Sequence, residues 1–415
     1  MRVLIADKLA PLVAGRLQDL GAQVFVEPEL SGEALTARLR DLDPTVLVVR
    51  STKVTRADVD AARALSLVIR AGAGVNTIDL AAASARGVYV ANCPGKNASA
   101  VAELTIGHLI NLDRRIADNV AELRARRWNK KAFGNARGLR GRTLAVLGTG
   151  TIGREVIARA KAFGMRVRAW SRSLTPELAE ALGVERADTP ERAVEGADAV
   201  TVHLALTPET RGRIGESVFA AMKPGAYFVN TSRAEIVDAA ALQRALEEKG
   251  IRVGLDVFAQ EPAEATGAFS DPIVDHPNVY GTHHIGASTV EAEEAVGEEV
   301  VAIVDAYARG RVIPNCVNLA SESEATHQLV VRHADRVGVL ATVLDLLRDA
   351  GHNVQEMQNI VFSGGEAACA RIEIVGAPSA ETLAKINADP SVFDATAVPL
   401  ENRSAGRARS RSSTR

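Results

Sequence analysis

Over the first 94 positions, apolar residues fall into short β-branched runs separated by helical stretches. Val3–Ala6, Gln23–Val26, Val46–Val49, Leu67–Arg70 and Val88–Ala91 have the length and composition of strands. Between them the apolar spacing turns to three and four, as in Ala10–Leu20 and Ser31–Leu42, which predicts amphipathic helices. Such alternation builds a parallel sheet covered on both faces. One long helical segment follows over Ser99–Trp128. Alternation resumes at Gly141, with strands near 144–147, 166–170, 198–203, 226–230 and 252–256, a last strand at Val279–Tyr280 and a loop over Gly281–Ala287. An amphipathic helix over Thr289–Arg309 would lead the chain back to the first unit. After a polar linker at Glu322–Glu324 come strand 327–333, helix 338–350, strands 353–361 and 367–375, helix 379–388 and strand 394–400. That order is βαββαβ. Glu401–Arg415 holds five arginines among Ser, Ala and Gly, and reads as a solvated, disordered tail.

A chain of 415 residues exceeds one core and calls for two or three domains. Its net charge of −2 gives no global attraction to nucleic acid or a membrane surface, and neither is expected as a partner. Cys93, Cys316 and Cys369 are scattered, which argues against a metal site or a disulfide framework and fits a reducing cytoplasm. No run approaches the roughly 18 apolar residues of a membrane span, and the N-terminus lacks the apolar region of a signal peptide.

The most specific local pattern is Leu144–Leu147 followed by Gly148-Thr149-Gly150-Thr151-Ile152-Gly153 and a helix over Arg154–Phe163. Strand, G-x-G-x-x-G and helix, with a second strand at Arg166–Trp170, form a dinucleotide site in a βαβ unit. Gly148 permits the turn, Gly150 lets pyrophosphate approach, and Gly153 lets the helix pack on the strand. The helix N-terminus at Thr151 and Ile152 faces the phosphates. At the end of the second strand an NAD site normally places an acid for the ribose 2′-OH. Here the residues are Ser171-Arg172-Ser173, which suit a 2′-phosphate. The cofactor is therefore expected to be NAD or NADP, with a modest lean to NADP acceptance.

Further polar residues stand at strand ends: Arg233, Asp256, Glu261, His283 and His284. Taken singly, Arg233 and Glu235 read as a surface pair, Asp256 as a helix cap and His284 as a loop donor. Taken in order after a dinucleotide loop, they read as one cleft beyond the carboxyl ends of parallel strands. Arginine's planar fork suits a carboxylate. Histidine beside a carboxylate can carry a proton at neutral pH.

Seven segments carry a resemblance: Val49-Arg50-Ser51-Thr52-Lys53-Val54, Arg70–Asn76, Asn92-Cys93-Pro94 with Asn97, the glycine loop, the Arg233 segment, Asp256-Val257-Phe258 with Glu261-Pro262, and His284-Ile285-Gly286. In this order the chain resembles the D-2-hydroxyacid dehydrogenase family, and within it the phosphoglycerate-oxidising branch. The resemblance implies an α/β fold with two doubly wound, Rossmann-like domains. A substrate-binding domain would span 1–94 with 289–318, and a dinucleotide-binding domain 95–288. Arg233, Glu261 and His284 would be catalytic, with His284 moving the hydroxyl proton, Glu261 holding its ring and Arg233 binding the carboxylate. Thr231 and Asp256 would join the cofactor site. Arg50, Ser51, Lys53, Ala73, Gly74, Val75 and Asn97 would bind substrate, with Arg50 and Lys53 for a phosphate.

Residues 325–401 resemble an ACT regulatory domain, on His333–Leu340 and Gly351–Val354, with 402–415 as the tail. That implies an amino-acid effector, serine first, near His333, Asp335 and Asn353. Asp335 would otherwise cap the helix starting near Gly338. It also implies a homodimer or homotetramer, since such units pair across subunits. The branch points to oxidation of 3-phosphoglycerate in serine synthesis. A glyoxylate or hydroxypyruvate reductase, and a non-enzymatic scaffold of the co-repressor type, are the alternatives. The chain departs from the family in three places. His283 stands where Pro is usual, Leu204-Ala205 lack the Pro often found after His203, and Asp335 and Val337 replace the Asn and Pro of serine-sensing relatives.

Overall fold

Runs of Val, Ile, Leu and Ala with no charge between them become strands buried on both faces, as Val46–Val49 and Ala199–Val202 do. The computed structural model describes residues 1–262, 266–320 and 323–400. Glu322 of the polar linker and the arginine tail lie outside the described residues. The chain divides into two compact units, Met1–Asn318 and the unit beginning at Leu319.

The first unit holds two parallel sheets. One is built from β1 (Arg2–Ile5), β2 (Gln23–Val26), β3 (Val46–Val49), β4 (Leu67–Arg70) and β5 (Tyr89–Asn92), in the order β2-β1-β3-β4-β5. Its winding reverses between β1 and β3, so a crevice opens beyond their carboxyl ends. The other contains β6 (Thr143–Leu147), β7 (Arg166–Trp170), β8 (Glu185–Arg186), β9 (Ala199–Val202), β10 (Tyr227–Asn230), β11 (Arg252–Leu255) and β12 (Val279–Gly281). Its order is β12-β11-β10-β9-β6-β7-β8, with the reversal between β6 and β9. The edge strand β8 has two residues, too few to leave a pattern in the sequence.

The helix Ala98–Arg114 lays Ala102, Ile106, Leu109 and Leu112 on the second sheet, against Leu144, Val146 and Val229. The helix Val290–Ala308 lays Val300, Ile303 and Val304 on the first, beside Val13 and Leu17. The single helix expected over Ser99–Trp128 is broken. Arg115 takes a left-handed conformation (φ 52°), and a second helix, Ile116–Arg124, starts in a new direction. The Asn111 side chain caps the break by accepting from the Ala117 amide at 2.9 Å. The second helix buries no residue, so no apolar stripe holds it on the sheet.

The second unit is an antiparallel sheet of β13 (His327–Ala334), β14 (Val354–Val361), β15 (Ala367–Ile374) and β16 (Val392–Pro399), ordered β14-β15-β13-β16. The helices Val339–Asp349 and Ala380–Asn387 contribute Val343, Leu347 and Ile386 to a core with Leu329, Val331 and Ile372.

The glycine loop after β6 is fixed by close approach. A side chain on Gly153 would put its Cβ 2.0 Å from the Gly148 carbonyl oxygen, whereas nothing lies within 4 Å of the same position on Gly150. Backbone cannot yield as a flexible side chain would. Gly153→Ala is therefore expected to cost about 1–3 kcal/mol in denaturant unfolding, the range for forced overpacking. Gly150→Ala should stay within about 0.5 kcal/mol of wild type. Equal stability of the two variants would refute this account of the loop.

Candidate active site

The candidate site residues follow the carboxyl ends of strands in both sheets of the first unit. After β6, Gly148 turns at φ 108°, and Gly150 precedes the helix Thr151–Ala162. Thr151 and Ile152 begin that helix, so unpaired amides and the positive dipole end point into the crevice. After β7, the Ser171 and Ser173 hydroxyls lie 3.2 Å apart beside an exposed Arg172. Arg213 lies 5.7 Å from the centre of the Trp170 ring and adds a second cation at this edge.

After β10, Asn230 shapes the segment that carries Arg233. Its Oδ1 accepts from the Ser232 amide (3.0 Å) and hydroxyl (2.7 Å), while its Nδ2 donates to the Arg233 carbonyl (3.0 Å). The Arg233 guanidinium donates to the Ser232 carbonyl through Nη1 at 2.7 Å. Its Nη2 lies 3.0 Å from where Gly74 would carry a Cβ, so the missing side chain admits the arginine. Thr231, next to Asn230, is buried. Its hydroxyl is 3.0 Å from that of Thr105, on the Ala98–Arg114 helix.

After β11 and β12 come Glu261 and His284. His284 Nδ1 is 2.7 Å from Glu261 Oε2, and Glu261 Oε1 accepts from the Phe258 amide at 2.8 Å. Burial pushes the Glu261 carboxyl up. The His284 bond, the Phe258 amide and the Arg233 charge outweigh it, and the group ends below its usual range. His283 is exposed, and of the two histidines the one hydrogen-bonded to Glu261 is His284. His284 holds a left-handed backbone, φ 52°.

Asp256, expected to join the cofactor site, has a buried carboxylate that accepts three hydrogen bonds from the protein. Oδ1 accepts from the Thr282 hydroxyl (2.6 Å) and the Ile285 amide (2.9 Å), and Oδ2 from the Gly286 amide (2.8 Å).

The first sheet supplies cations. Arg50, after β3, pairs with Glu293 at 2.8 Å. Ser51 is exposed, and its amide donates to Asp7 at 3.1 Å, which leaves its hydroxyl to meet a substrate. Lys53 is exposed on the same loop. Asn97 Oδ1 is buried without a partner among the described residues. The Ala73 carbonyl accepts from Asn92 Nδ2 at 2.5 Å, while the amides of Ala73, Gly74 and Val75 have no partner among the described residues.

Arg70, at the end of β4, was not singled out from the sequence. Burial, then repulsion from Arg233 and Arg50, lowers its guanidinium from the usual value. Its Nε has no partner among the described residues. With Arg50, Asn97 and Glu293 it lines a cavity of about 70 Å³. The signal was available, because Arg70 ends a parallel strand next to the one that ends in Arg50.

In the second unit, His333 is buried and both ring nitrogens are engaged, Nδ1 with the Ala334 carbonyl (2.8 Å) and Nε2 with Asn359 Oδ1 (3.2 Å). It has no free nitrogen for an effector. Asp335 and Asn353 are exposed. Gly338 precedes the Val339–Asp349 helix with no side-chain cap, so Asp335 does not cap it.

Residues 106–286 match the family described as D-isomer specific 2-hydroxyacid dehydrogenase, NAD binding domain. D-3-phosphoglycerate dehydrogenase of Methanocaldococcus jannaschii is 40% identical over 321 residues, 77% of this chain and 60% of the relative. The Rattus norvegicus protein of that name is 40% identical over 326 residues, 78% and 60%. The chain thus spans about 60% of the length of the curated relatives it matches. The TT0316 protein of Thermus thermophilus superposes with a TM-score of 0.67 at 32% identity, over 76% of this chain and all of that one. The family match runs through the glycine loop and ends at Gly286, beside the Glu261–His284 pair, and the relatives extend the likeness over three quarters of the sequence. The chain belongs to the D-isomer specific 2-hydroxyacid dehydrogenase family.

Proposed function

We propose that this protein oxidises the C2 hydroxyl of a D-2-hydroxy acid, and that its substrate is 3-phosphoglycerate. The observation that carries the reading is the 2.7 Å pair of His284 and Glu261, within the field of Arg233. The glycine loop fits a dinucleotide, with open space at Gly150 and a helix N-terminus behind it. Gly148, Gly150, Thr151, Ile152 and Gly153 would hold the pyrophosphate. The bound nicotinamide supplies the hydride acceptor. Arg233 binds the substrate carboxylate as a planar fork, beside the free amides of Ala73, Gly74 and Val75. Glu261 fixes His284 through Nδ1, which leaves Nε2 to take the hydroxyl proton as hydride leaves C2. In the reverse direction His284 returns that proton to the carbonyl oxygen. Under this reading the first sheet and the Val290–Ala308 helix form the substrate side and the second sheet the cofactor side.

Arg70 supports a second anionic group on the substrate, because it faces a cavity with no acid bonded to it. The Arg50–Glu293 pair favours the alternative, an unphosphorylated 2-keto acid, since Glu293 already offsets one cation. We assign the second unit as an ACT-type domain that binds serine near Asp335 and Asn353 and pairs across a homodimer or homotetramer. The protein acts in the cytoplasm. No described helix is long and apolar enough to cross a membrane.

Four measurements test this reading. His284→Ala should lower kcat by ~10²–10⁴, the range for a lost general acid or base, while cofactor still binds. His283→Ala should change it little, and the reverse order would transfer the role to His283.

Arg70→Ala should raise KM for 3-phosphoglycerate by about tenfold or more, as a charge-assisted hydrogen bond is worth ~1.5–3 kcal/mol. An unphosphorylated 2-hydroxy acid should be spared. Equal losses on both would remove the phosphate from the reading and leave the alternative.

In the same assay, NADP should be accepted alongside NAD with a modest lean to NADP. Arg172→Ala should reduce kcat/KM more for NADP than for NAD, because the guanidinium meets only the 2′-phosphate. A strong NAD preference that Arg172→Ala leaves intact would reject a 2′-phosphate site. Serine that changes neither rate nor heat of mixing would leave the ACT-type unit without that effector.

A further inference from the structure

His108 lies on the helix Ala98–Arg114, is 4% exposed, and takes no part in the chemistry described above. Its Nε2 is 3.1 Å from the Thr282 hydroxyl. That hydroxyl has one proton, which it donates to Asp256 Oδ1 at 2.6 Å. The remaining contact therefore needs His108 to donate, which fixes the neutral ring as the Nε2–H tautomer. Burial pushes this imidazole down against the opposing field of Asp256, in keeping with a neutral donor. The ring lies against β11. A Cβ on Gly254 would sit 3.0 Å from His108 Cβ, Cγ and Nδ1, so the glycine makes room for it. One turn earlier on the same helix face, Thr105 meets Thr231 at 3.0 Å. Thr105 gives its proton to the Val101 carbonyl at 2.8 Å, so Thr231 is the donor there. One buried helix face thus touches both the segment leading to Arg233 and the segment leading to His284.

We propose that His108 is a positioning residue for proton transfer. Through Thr282 it fixes the Asp256 carboxylate, which holds the Ile285 and Gly286 amides and so keeps His284 in the backbone conformation that brings its ring to Glu261. A left-handed, non-glycine residue persists only where its surroundings impose it. The residues flanking His284 are imposed on by a single carboxylate. Among the described residues that carboxylate has no salt-bridge partner, and its orientation rests on three donors, one of them the hydroxyl oriented by His108. An apolar side chain at 108 would leave Thr282 with an unmet acceptor beside the acid. The consequence for turnover rests on the hydroxy-acid oxidation reading.

The test combines His108→Leu, Thr282→Val, their double variant and His108→Gln, whose amide restores an N–H donor. Each single apolar change should lower kcat about 10–100-fold, as displacements near 1 Å do, with KM for the cofactor within about twofold. The double variant should be no slower than the slower single, because both cut one chain of bonds. His108→Gln should regain most of the rate. Thermal melting recorded beside kinetics separates positioning from unfolding, and His108→Met replaces the Leu variant if that one does not fold. A readout independent of turnover is ¹⁵N–¹H NMR of the histidine rings. It should show Nε2–H for His108 in the wild type and shifted His284 ring and Cα signals in Thr282→Val. Folded His108→Leu and Thr282→Val with wild-type kcat would overturn the proposal, as would losses that multiply in the double variant or His284 signals that do not move. If the wild type turns over no 2-hydroxy acid, the functional reading fails, and the NMR result alone decides the relay.

Discussion

The buried carboxylate of Asp256 governs how the second sheet presents its chemistry. An ionised acid withdrawn from water is costly unless its oxygens are satisfied. Here a hydroxyl and two backbone amides satisfy it, and all three donors belong to the loop that carries His284. The cost of leaving the acid unpaired therefore becomes a restraint on the loop. The first sheet repeats the device. Asp7, just beyond β1, accepts the amides of Arg50, Ser51 and Thr52 at 2.6, 3.1 and 3.1 Å. In each case an acid at the end of one parallel strand collects amides from the loop after the neighbouring strand. On the proposed reading each restrained loop carries a site side chain, Arg50 in one and His284 in the other, and protein groups alone hold both loops, which limits reorganisation during reaction.

The charges across this crevice are unevenly balanced. Arg50 has Glu293, and Glu261 has His284 with Arg233 nearby, but no acid bonds Arg70 among the described residues. Like charges held together raise one another's cost, as the lowered Arg70 guanidinium records. A protein keeps such a cluster at the expense of stability, and an anion is what relieves it. Two cations without bonded acids of their own among the described residues, Arg233 and Arg70, match the two anionic groups of the substrate on the proposed reading. With Arg70 absent, the remaining arrangement would suit a monoanion equally well.

How much of this was legible in the sequence depends on the range of the interaction. Strands showed because β-branched runs alternate locally with helical spacing. The glycine loop showed because strand, turn and helix are adjacent in the chain. The break at Arg115 did not show, since an arginine carries no mark of a left-handed conformation and the apolar spacing continues past it. Among site residues, Glu261 and His284 were readable from short motifs. His284 rather than His283 was chosen because Ile285-Gly286 follows it, and the left-handed backbone at His284 accompanies the bond from its ring to the acid. Asp256, Thr231 and His333 were expected at ligands through the resemblance, and the structure adds hydrogen bonds from them to Thr282, Thr105 and Asn359, partners far away in the chain. His108 and Thr282 are 174 residues apart, so neither predicts the other.

The two halves of the site are also joined along the chain. Thr289, five residues beyond His284, caps the Val290–Ala308 helix by accepting from the Ala292 amide at 3.2 Å, and the first turn of that helix carries Glu293 to Arg50. The segment is short and anchored at both ends, at Asp256 through Ile285 and Gly286 and at Arg50 through Glu293. A displacement of the His284 loop would therefore be transmitted to the Arg50–Glu293 pair, on the other sheet. An anion drawn towards Arg50 would compete with Glu293 for the guanidinium and pull on the same segment from its far end. On the proposed reading, an anion bound at Arg50 and the placement of the His284 ring would be linked through the backbone between His284 and Glu293.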